Sequence, residues 1–214
     1  AMPMRMAQQL CPEAIVIRGN SSIYSKFSDS ITEIVKEESP LYEKSSIDEF
    51  YIDVSGMDKF FGCYQWAKEL RERIIRETGL PISFGLSTNK TVSKVATNEI
   101  KPNNHTRIDK GQEKPFLAPL LVKKIPMVGD QTYKMLLNMG VKYVKTIQEM
   151  PIELMEKVMG KNGIALWKKA QGIDNSLVQP YHERKSISSS LTFERDTINV
   201  QSLKSILMAM TEKL

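Results

Sequence analysis

Asp48 and Glu49 stand side by side in Ser46-Ile47-Asp48-Glu49-Phe50-Tyr51-Ile52-Asp53, where a hairpin is expected to turn into an apolar strand. Carboxylate oxygens are the ligands that hard divalent cations take, and Mg²⁺ is usually held by one or two carboxylates plus substrate phosphates. Two such ions about 3.5–4 Å apart stabilise both the attacking and the leaving oxygen of an in-line phosphoryl displacement. In a straight strand neighbouring side chains point to opposite faces, but the twist at the mouth of a hairpin lets both carboxylates reach one pocket. As a bare dipeptide, Asp-Glu reads as a solvated surface pair. The apolar strand residues around it shift that reading, because charges flanked by buried residues need partners. Lys90 and Lys94 follow, four apart on one helical face, and then Lys101 in Lys101-Pro102-Asn103. A lysine beside a carboxylate–metal site balances the charge of a triphosphate; taken singly, each reads as a surface lysine.

The elements that must position these groups are legible from periodicity and breakers. Residues 2–10 predict a short helix stopped by Pro12, and Ala14-Ile15-Val16-Ile17 a short buried strand. Ile23, Phe27, Ile31, Ile34 and Val35 fall at helical spacing, predicting an amphipathic helix over 23–38 that Pro40 closes. Residues 41–44 and 47–54, with Ser45-Ser46 between them, predict a hairpin. A helix over 64–78 buries Trp66, Ala67, Leu70, Ile74 and Ile75, with Gly79 as its C-cap. A strand over 82–86 and a helix over 90–100 follow. The first hundred residues therefore predict an α+β arrangement of helices on a mostly antiparallel sheet. Beyond them Pro115, Pro119, Pro126, Pro151 and Pro180 punctuate short helical runs, no strand is convincing, and 119–170 reads as a small all-helical domain. Gln179-Pro180-Tyr181-His182 reads as a linker, 185–192 as Ser-rich and extended, and 200–214 as the start of a helix. Met135, Met139, Met155 and Met159 read as core filler.

A chain of 214 residues holds one or two domains, and 41% hydrophobic residues are enough to bury a core. No apolar run approaches the roughly 20 residues of a bilayer span. Two cysteines, Cys11 and Cys63, are too few for a disulfide scaffold and imply a reducing, cytoplasmic setting. Residues 1–100 carry 12 Lys+Arg against 14 Asp+Glu, and residues 101–214 carry 18 against 11, so the net +5 comes from the second half. A basic half joined to a carboxylate-bearing half suits a polyanion partner, although a lysine-rich solvated surface gives the same arithmetic.

Three blocks in order, residues 46–54, residues 84–96 (Phe84-Gly85-Leu86-Ser87 through Asn89-Lys90 to Lys94-Val95-Ala96) and Lys101-Pro102-Asn103, resemble the palm domain of Y-family translesion DNA polymerases of the DinB (DNA polymerase IV) type. Met2-Pro3-Met4 through Leu10-Cys11-Pro12 resembles the end of that family's fingers domain. The resemblance implies residues 1–20 as the end of the fingers, 21–116 as an incomplete palm, 117–180 as a thumb with a helix-hairpin-helix, and 181–214 as the start of an α+β little-finger domain. It further implies two Mg²⁺ ions and transfer of a deoxynucleotide from a dNTP to a primer 3′-OH on template DNA. Asp48 and Glu49 would then be metal ligands with Glu49 catalytic, Lys101 would contact the triphosphate, and Asp53 would be structural. Lys123-Lys124-Ile125-Pro126-Met127-Val128-Gly129-Asp130-Gln131-Thr132 resembles the thumb hairpin, with Val128, Gly129, Gln131 and Thr132 presenting N–H groups to a DNA phosphate. Met127 stands where that pattern has its first glycine. Lys161-Asn162-Gly163 after Met159-Gly160 resembles a second hairpin.

The family's first metal-binding aspartate, on an apolar strand with an aromatic follow-on, has no counterpart among Glu13, Asp29, Glu33, Glu37, Glu38 and Glu43. The expectation is an incomplete piece that binds divalent metal weakly and does not extend a primer. A clamp-binding peptide is expected near the end of a longer family member. The competing readings are a non-catalytic DNA-binding module built on the basic hairpin and a structural remnant. His105 and His182 sit in loop-like contexts and read as surface residues.

Overall fold

The computed structural model describes residues 2–57, 62–180, 185–193 and 195–212. It divides into two compact units, residues 1–180 and 181–214. In the first, α1 (Met4–Leu10) leads to α2 (Ser21–Glu38), whose start is capped by Asn20: its Oδ1 accepts the Ile23 N–H at 3.2 Å. A hairpin follows, β1 (Tyr42–Lys44) antiparallel to β2 (Phe50–Ile52), with Tyr42 opposite Ile52 and Lys44 opposite Phe50. Then α3 (Cys63–Thr78) ends at Gly79, which takes the left-handed conformation (φ 72°) that a residue without Cβ adopts at little cost. The unit continues through β3 (Phe84–Leu86), α4 (Lys90–Ile100) and β4 (His105–Arg107), which pairs parallel with β3.

The remainder of this unit is helical: α5 (Glu113–Leu117), a 3₁₀ turn (Val122–Lys124), α6 (Asp130–Asn138), α7 (Val144–Glu149), α8 (Ile152–Met159) and α9 (Lys161–Ala170). Two apolar cores hold the elements. One joins α2 and α3 through Ile34, Val35, Leu70 and Ile74, with Phe50, Ile52 and Trp66 packed against it. The other runs from Val92 and Val95 of α4 through Leu117, Ile125, Leu136 and Ile147 to Met155 and Leu166. Helix α4 therefore belongs to the second core while its other side faces the sheet. Gly85 makes that approach possible: a Cβ there would lie 2.6 Å from the Ser93 carbonyl oxygen and 2.8 Å from the Thr97 nitrogen. Gly163 plays the same part between α8 and α9, where a Cβ would sit 1.9 Å from the Met155 carbonyl oxygen.

The α+β character matches the sequence expectation; several details do not. Residues 14–17 form no strand, and Ile15 and Ile17 are 88% and 84% exposed. A β-branched run becomes a strand only beside a partner, and none of the described strands lies against it. In place of one mostly antiparallel sheet the described strands form two separate pairs, β1–β2 antiparallel and β3–β4 parallel, and β4 lies in the half that reads as strandless. Three polar residues, His-Thr-Arg, carry no apolar alternation for a sequence reading to find. Ile23 and Phe27 lie exposed on α2, so only the C-terminal part of its apolar face is covered. Met155 is core, but Met135 and Met139 are exposed. In the second unit α10 (Val200–Thr211) forms, whereas described residues 185–193 make no strand. Tyr181, His182 and Arg184 lie outside the described residues. Among the described residues, no helix is long and apolar enough to cross a membrane.

Candidate functional site

The β1–β2 hairpin places the acidic pair. The Ser45 N–H donates to the Glu49 carbonyl at 2.9 Å, closing the turn, and the Ser46 hydroxyl donates to Asp48 Oδ1 at 2.7 Å. Asp48 is exposed and Glu49 half-buried. The Lys94 ammonium reaches across from α4 and donates to Glu49 Oε2 at 2.6 Å. That bond raises the Lys94 pKa, against the desolvation that lowers it. One turn earlier on the same helix face, Lys90 donates to Glu43 Oε2, and its ammonium lies 5.2 Å from the centre of the Tyr51 ring. Both lysines thus neutralise carboxylates of the hairpin. Asp53, two residues past Tyr51, accepts the Ser55 N–H at 2.9 Å, a turn-stabilising role.

Helix α4 owes its position to caps at its N-terminal end. Asn89 Oδ1 accepts the Val92 N–H at 3.0 Å, and Asn89 Nδ2 donates to the Gly172 carbonyl at 2.8 Å. Asp174 Oδ2 accepts the Thr91 hydroxyl at 2.6 Å and the Thr91 N–H at 3.2 Å; its Oδ1 accepts the Ser176 hydroxyl at 2.6 Å. Burial pushes the Asp174 pKa up, but the bonds from Ser176 and Thr91 and the charge of Lys169 outweigh it and hold the carboxyl down at about 2. Past Asp174, the Gln179 N–H donates to Glu43 at 2.7 Å. Burial raises the Tyr51 pKa, with Lys94 opposing and Glu49, Glu43 and Asp174 adding to it.

Asp48, Glu49, Lys94 and Lys101 line one open cleft of about 1170 Å³. Lys101 is the exposed residue that ends α4, and among the described residues it forms no ion pair. The acidic pair and the three lysines are therefore brought to one cleft, with Lys90 and Lys94 already paired. No three His, Cys, Asp or Glu side chains converge to hold a metal among the described residues.

Sequence reasoning missed Tyr51, Glu43 and Asp174. Tyr51 lies two residues after Glu49, hence on the same strand face, and Glu43 is opposite Tyr51 in the hairpin register, so both had a local signal. Asp174 had none, being 83 residues from the Thr91 it caps. His105 is not a loop surface residue: it sits in β4, shares a 2.7 Å hydrogen bond with the Tyr64 hydroxyl and stacks on Phe84.

Away from the cleft, Val128 and Gly129 join the 3₁₀ turn to α6. Their N–H groups donate to the Ile125 and Met127 carbonyls at 3.1 and 3.2 Å. Helix α6 begins at Gly129 with no side-chain cap, and Gln131 and Thr132 lie in its first turn. Met127 takes φ 88°, the conformation a glycine would supply at this point. Lys124 pairs with Glu99 at 2.8 Å, and Lys123 lies 5.8 Å from the centre of the Tyr133 ring.

The impB/mucB/samB family model matches residues 1–98. A DNA polymerase IV from Dehalococcoides mccartyi is 35% identical over all 214 residues, which cover 55% of that protein. Another DNA polymerase IV, from Exiguobacterium sibiricum, is 37% identical over 95% of the chain and 57% of its own length. The crystal structure of DinB from Sulfolobus solfataricus superposes with a TM-score of 0.74 at 27% identity, over 83% of this chain and 53% of that one. The chain is similar along its whole length to DNA polymerase IV, and over most of it to DinB, a Y-family DNA polymerase. It spans a little over half the length of the curated family members it matches. An insertion ternary complex of Dbh DNA polymerase aligns equally over 83% of the chain, with a TM-score of 0.73. The likeness to the family thus runs through both the α+β part and the helical part.

Proposed function

We propose that the cleft is part of the active site of a translesion DNA polymerase, which joins a deoxynucleotide from a dNTP to a primer 3′-OH opposite damaged template bases. In this reading residues 1–20 end the fingers, 21–116 are palm, 117–180 are thumb and 181–214 begin the little finger. The observation that carries it is the gathering of Asp48, Glu49, Lys94 and Lys101 on one cleft, in a chain collinear with DNA polymerase IV over its whole length.

The donor set suits Mg²⁺: two hard carboxylates, one exposed and one half-buried, at the rim of a cleft wide enough for a nucleotide. Asp48 and Glu49 are the groups that would hold it. When bound, the ions polarise the reacting phosphate and offset the charge that builds on the attacking and leaving oxygens. The protein's own residues do the positioning. Lys101 places a cation on the triphosphate. Lys94 holds Glu49 and keeps an acceptor-only carboxylate from standing unpaired while the cleft is empty of nucleotide. In the thumb, the Val128 and Gly129 N–H groups are taken up by the Ile125 and Met127 carbonyls, so it is the uncapped start of α6, with the N–H groups of Gln131 and Thr132 in its first turn, that meets a DNA phosphate, aided by the helix dipole. Of the carboxylates that line the cleft, Asp53, Asp109 and Asp174 are taken by Ser55, Arg107 and Thr91, which leaves Asp48 and Glu49 as the adjacent pair for a metal, so in isolation the 214 residues bind divalent metal weakly and do not extend a primer.

The test is binding of a fluorescent dNTP to the 214-residue chain with and without Mg²⁺, beside Asp48→Ala, Glu49→Gln and Lys101→Ala. Mg²⁺-dependent binding that each substitution weakens supports the reading. Binding indifferent to metal and to all three substitutions overturns it. A second reading, a DNA-binding module, is favoured by the glycine-like conformation that Met127 preserves in the hairpin. Duplex binding that falls steeply with salt and ignores dNTP would select it.

A further inference from the structure

Lys101 ends α4 and has no ion pair among the described residues to orient it, so its position depends on what anchors the turn that follows. One side chain ties that turn to helix α3. Arg71, on the third turn of α3, donates from Nη2 to the Asn103 carbonyl at 3.0 Å and to Asn103 Oδ1 at 2.5 Å. Its Nε donates to the Ile82 carbonyl, just ahead of β3, at 2.8 Å. The guanidinium therefore ties α3, the β3 segment and the 101–104 turn together. Asn103 is in the left-handed region (φ 49°), which aims its carbonyl and its side-chain oxygen at the same donor. The Asn104 N–H donates to the Ser83 hydroxyl at 3.2 Å, and the Phe84 N–H donates to the Asn104 carbonyl at 3.2 Å, so the turn is also stitched to the strand. Arg71, Lys101 and Asn103 line the same cleft as Asp48 and Glu49.

We infer that Arg71 is a positioning residue for nucleotide binding: it fixes the turn after α4 so that the Lys101 ammonium is presented to the triphosphate. The inference rests on the reading of the cleft given under Proposed function. A lysine at position 71 cannot substitute, because the anchorage uses a planar fork of donors aimed at separate acceptors, whereas an ammonium is a point donor on a flexible stem.

The experiment is a double-mutant cycle on the 214-residue chain, read as the dissociation constant of a fluorescent dNTP with Mg²⁺. The single variants are Arg71→Lys, Arg71→Gln and Lys101→Ala, with the combinations of the first two with the third. Arg71→Lys and Arg71→Gln are expected to weaken binding on the order of tenfold, the size of losing one charge-assisted contact. In the Lys101→Ala background either substitution should change binding less than twofold, since the group through which Arg71 acts is gone. Asn103→Gly keeps the positive φ, removes the side chain with its Oδ1 acceptor, and leaves Arg71 and the residue 103 carbonyl in place; it should weaken binding about threefold, and it serves where an Arg71 variant does not fold. Affinity for the matching nucleoside, which lacks phosphates, should be unmoved by all of them. Effects of Arg71 and Lys101 that simply add, or an Asn103→Gly chain that binds as the wild type does, would overturn the inference while leaving the cleft reading intact. A wild-type chain that binds no dNTP at all would overturn both.

Discussion

Replacing Gly85 by alanine tests the contact that sets α4 against the sheet. The added Cβ would lie 2.6 Å from the Ser93 carbonyl oxygen, 2.8 Å from Ala96 Cβ and 2.8 Å from the Thr97 nitrogen. Two of these are backbone atoms of a helix, so no side chain can swing aside and the helix itself must move. Overpacking of a well-filled interior costs about 1–3 kcal/mol, and contact with backbone puts this site at the upper end. The alanine also restricts the unfolded chain, which returns about 0.4–1 kcal/mol. The net loss is about 2 kcal/mol, or roughly 4–8 °C in melting temperature for a unit of this size. The assay is thermal unfolding followed by circular dichroism, with Gly129→Ala as control. At Gly129 nothing lies within 4 Å of the added Cβ and φ is −79°, so the control should stay within about 0.5 kcal/mol of the wild type. Because α4 carries Lys94 and leads directly into Lys101, Gly85→Ala should also weaken dNTP binding. A Gly85→Ala chain that melts within about 1 °C of the wild type would refute the close approach of β3 and α4 and the placement argued from it.

Met127→Gly should raise stability by about 0.5–1 kcal/mol, because removing the Cβ conflict of a positive-φ residue gains about 1–2 kcal/mol, the freer unfolded chain takes back about 0.4–1 kcal/mol, and the exposed methionine side chain gives up little packing; melting temperature reads it. For Asp174 the folded pKa of about 2 lies below the 3.8 of an unperturbed aspartate, so its stabilisation is present above about pH 4 and is lost as pH falls through 2. The stability difference between wild type and Asp174→Asn should therefore be flat above about pH 5 and shrink below about pH 4, measured by urea unfolding across pH. Lys94→Met should tighten Mn²⁺ binding by roughly threefold to tenfold, since a metal at Glu49 must otherwise displace the lysine ammonium; electron paramagnetic resonance of free Mn²⁺ measures it.

The hairpin, α3 with its Gly79 cap, and α4 between Asn89 and Pro102 were written in local signals: helical spacing of apolar residues, a capping side chain and a breaker. The acidic pair and the three lysines were legible for the same reason, since residue type and short spacing are properties of the chain alone. What the chain could not announce are relations across long separations. Lys94 takes Glu49 rather than solvent because Gly85 lets α4 close on the sheet; Asp174 reaches Thr91 from 83 residues away; Arg71 finds Asn103 from 32. The failed strand at 14–17 makes the same point in reverse. Its apolar, β-branched residues state a preference, but a strand exists only through hydrogen bonds to a partner, and the partner is decided by the fold. Local sequence determined which groups are available, and tertiary packing decided which of them face one another, because hydrogen bonds and charges act over a few ångströms however far apart the residues lie along the chain.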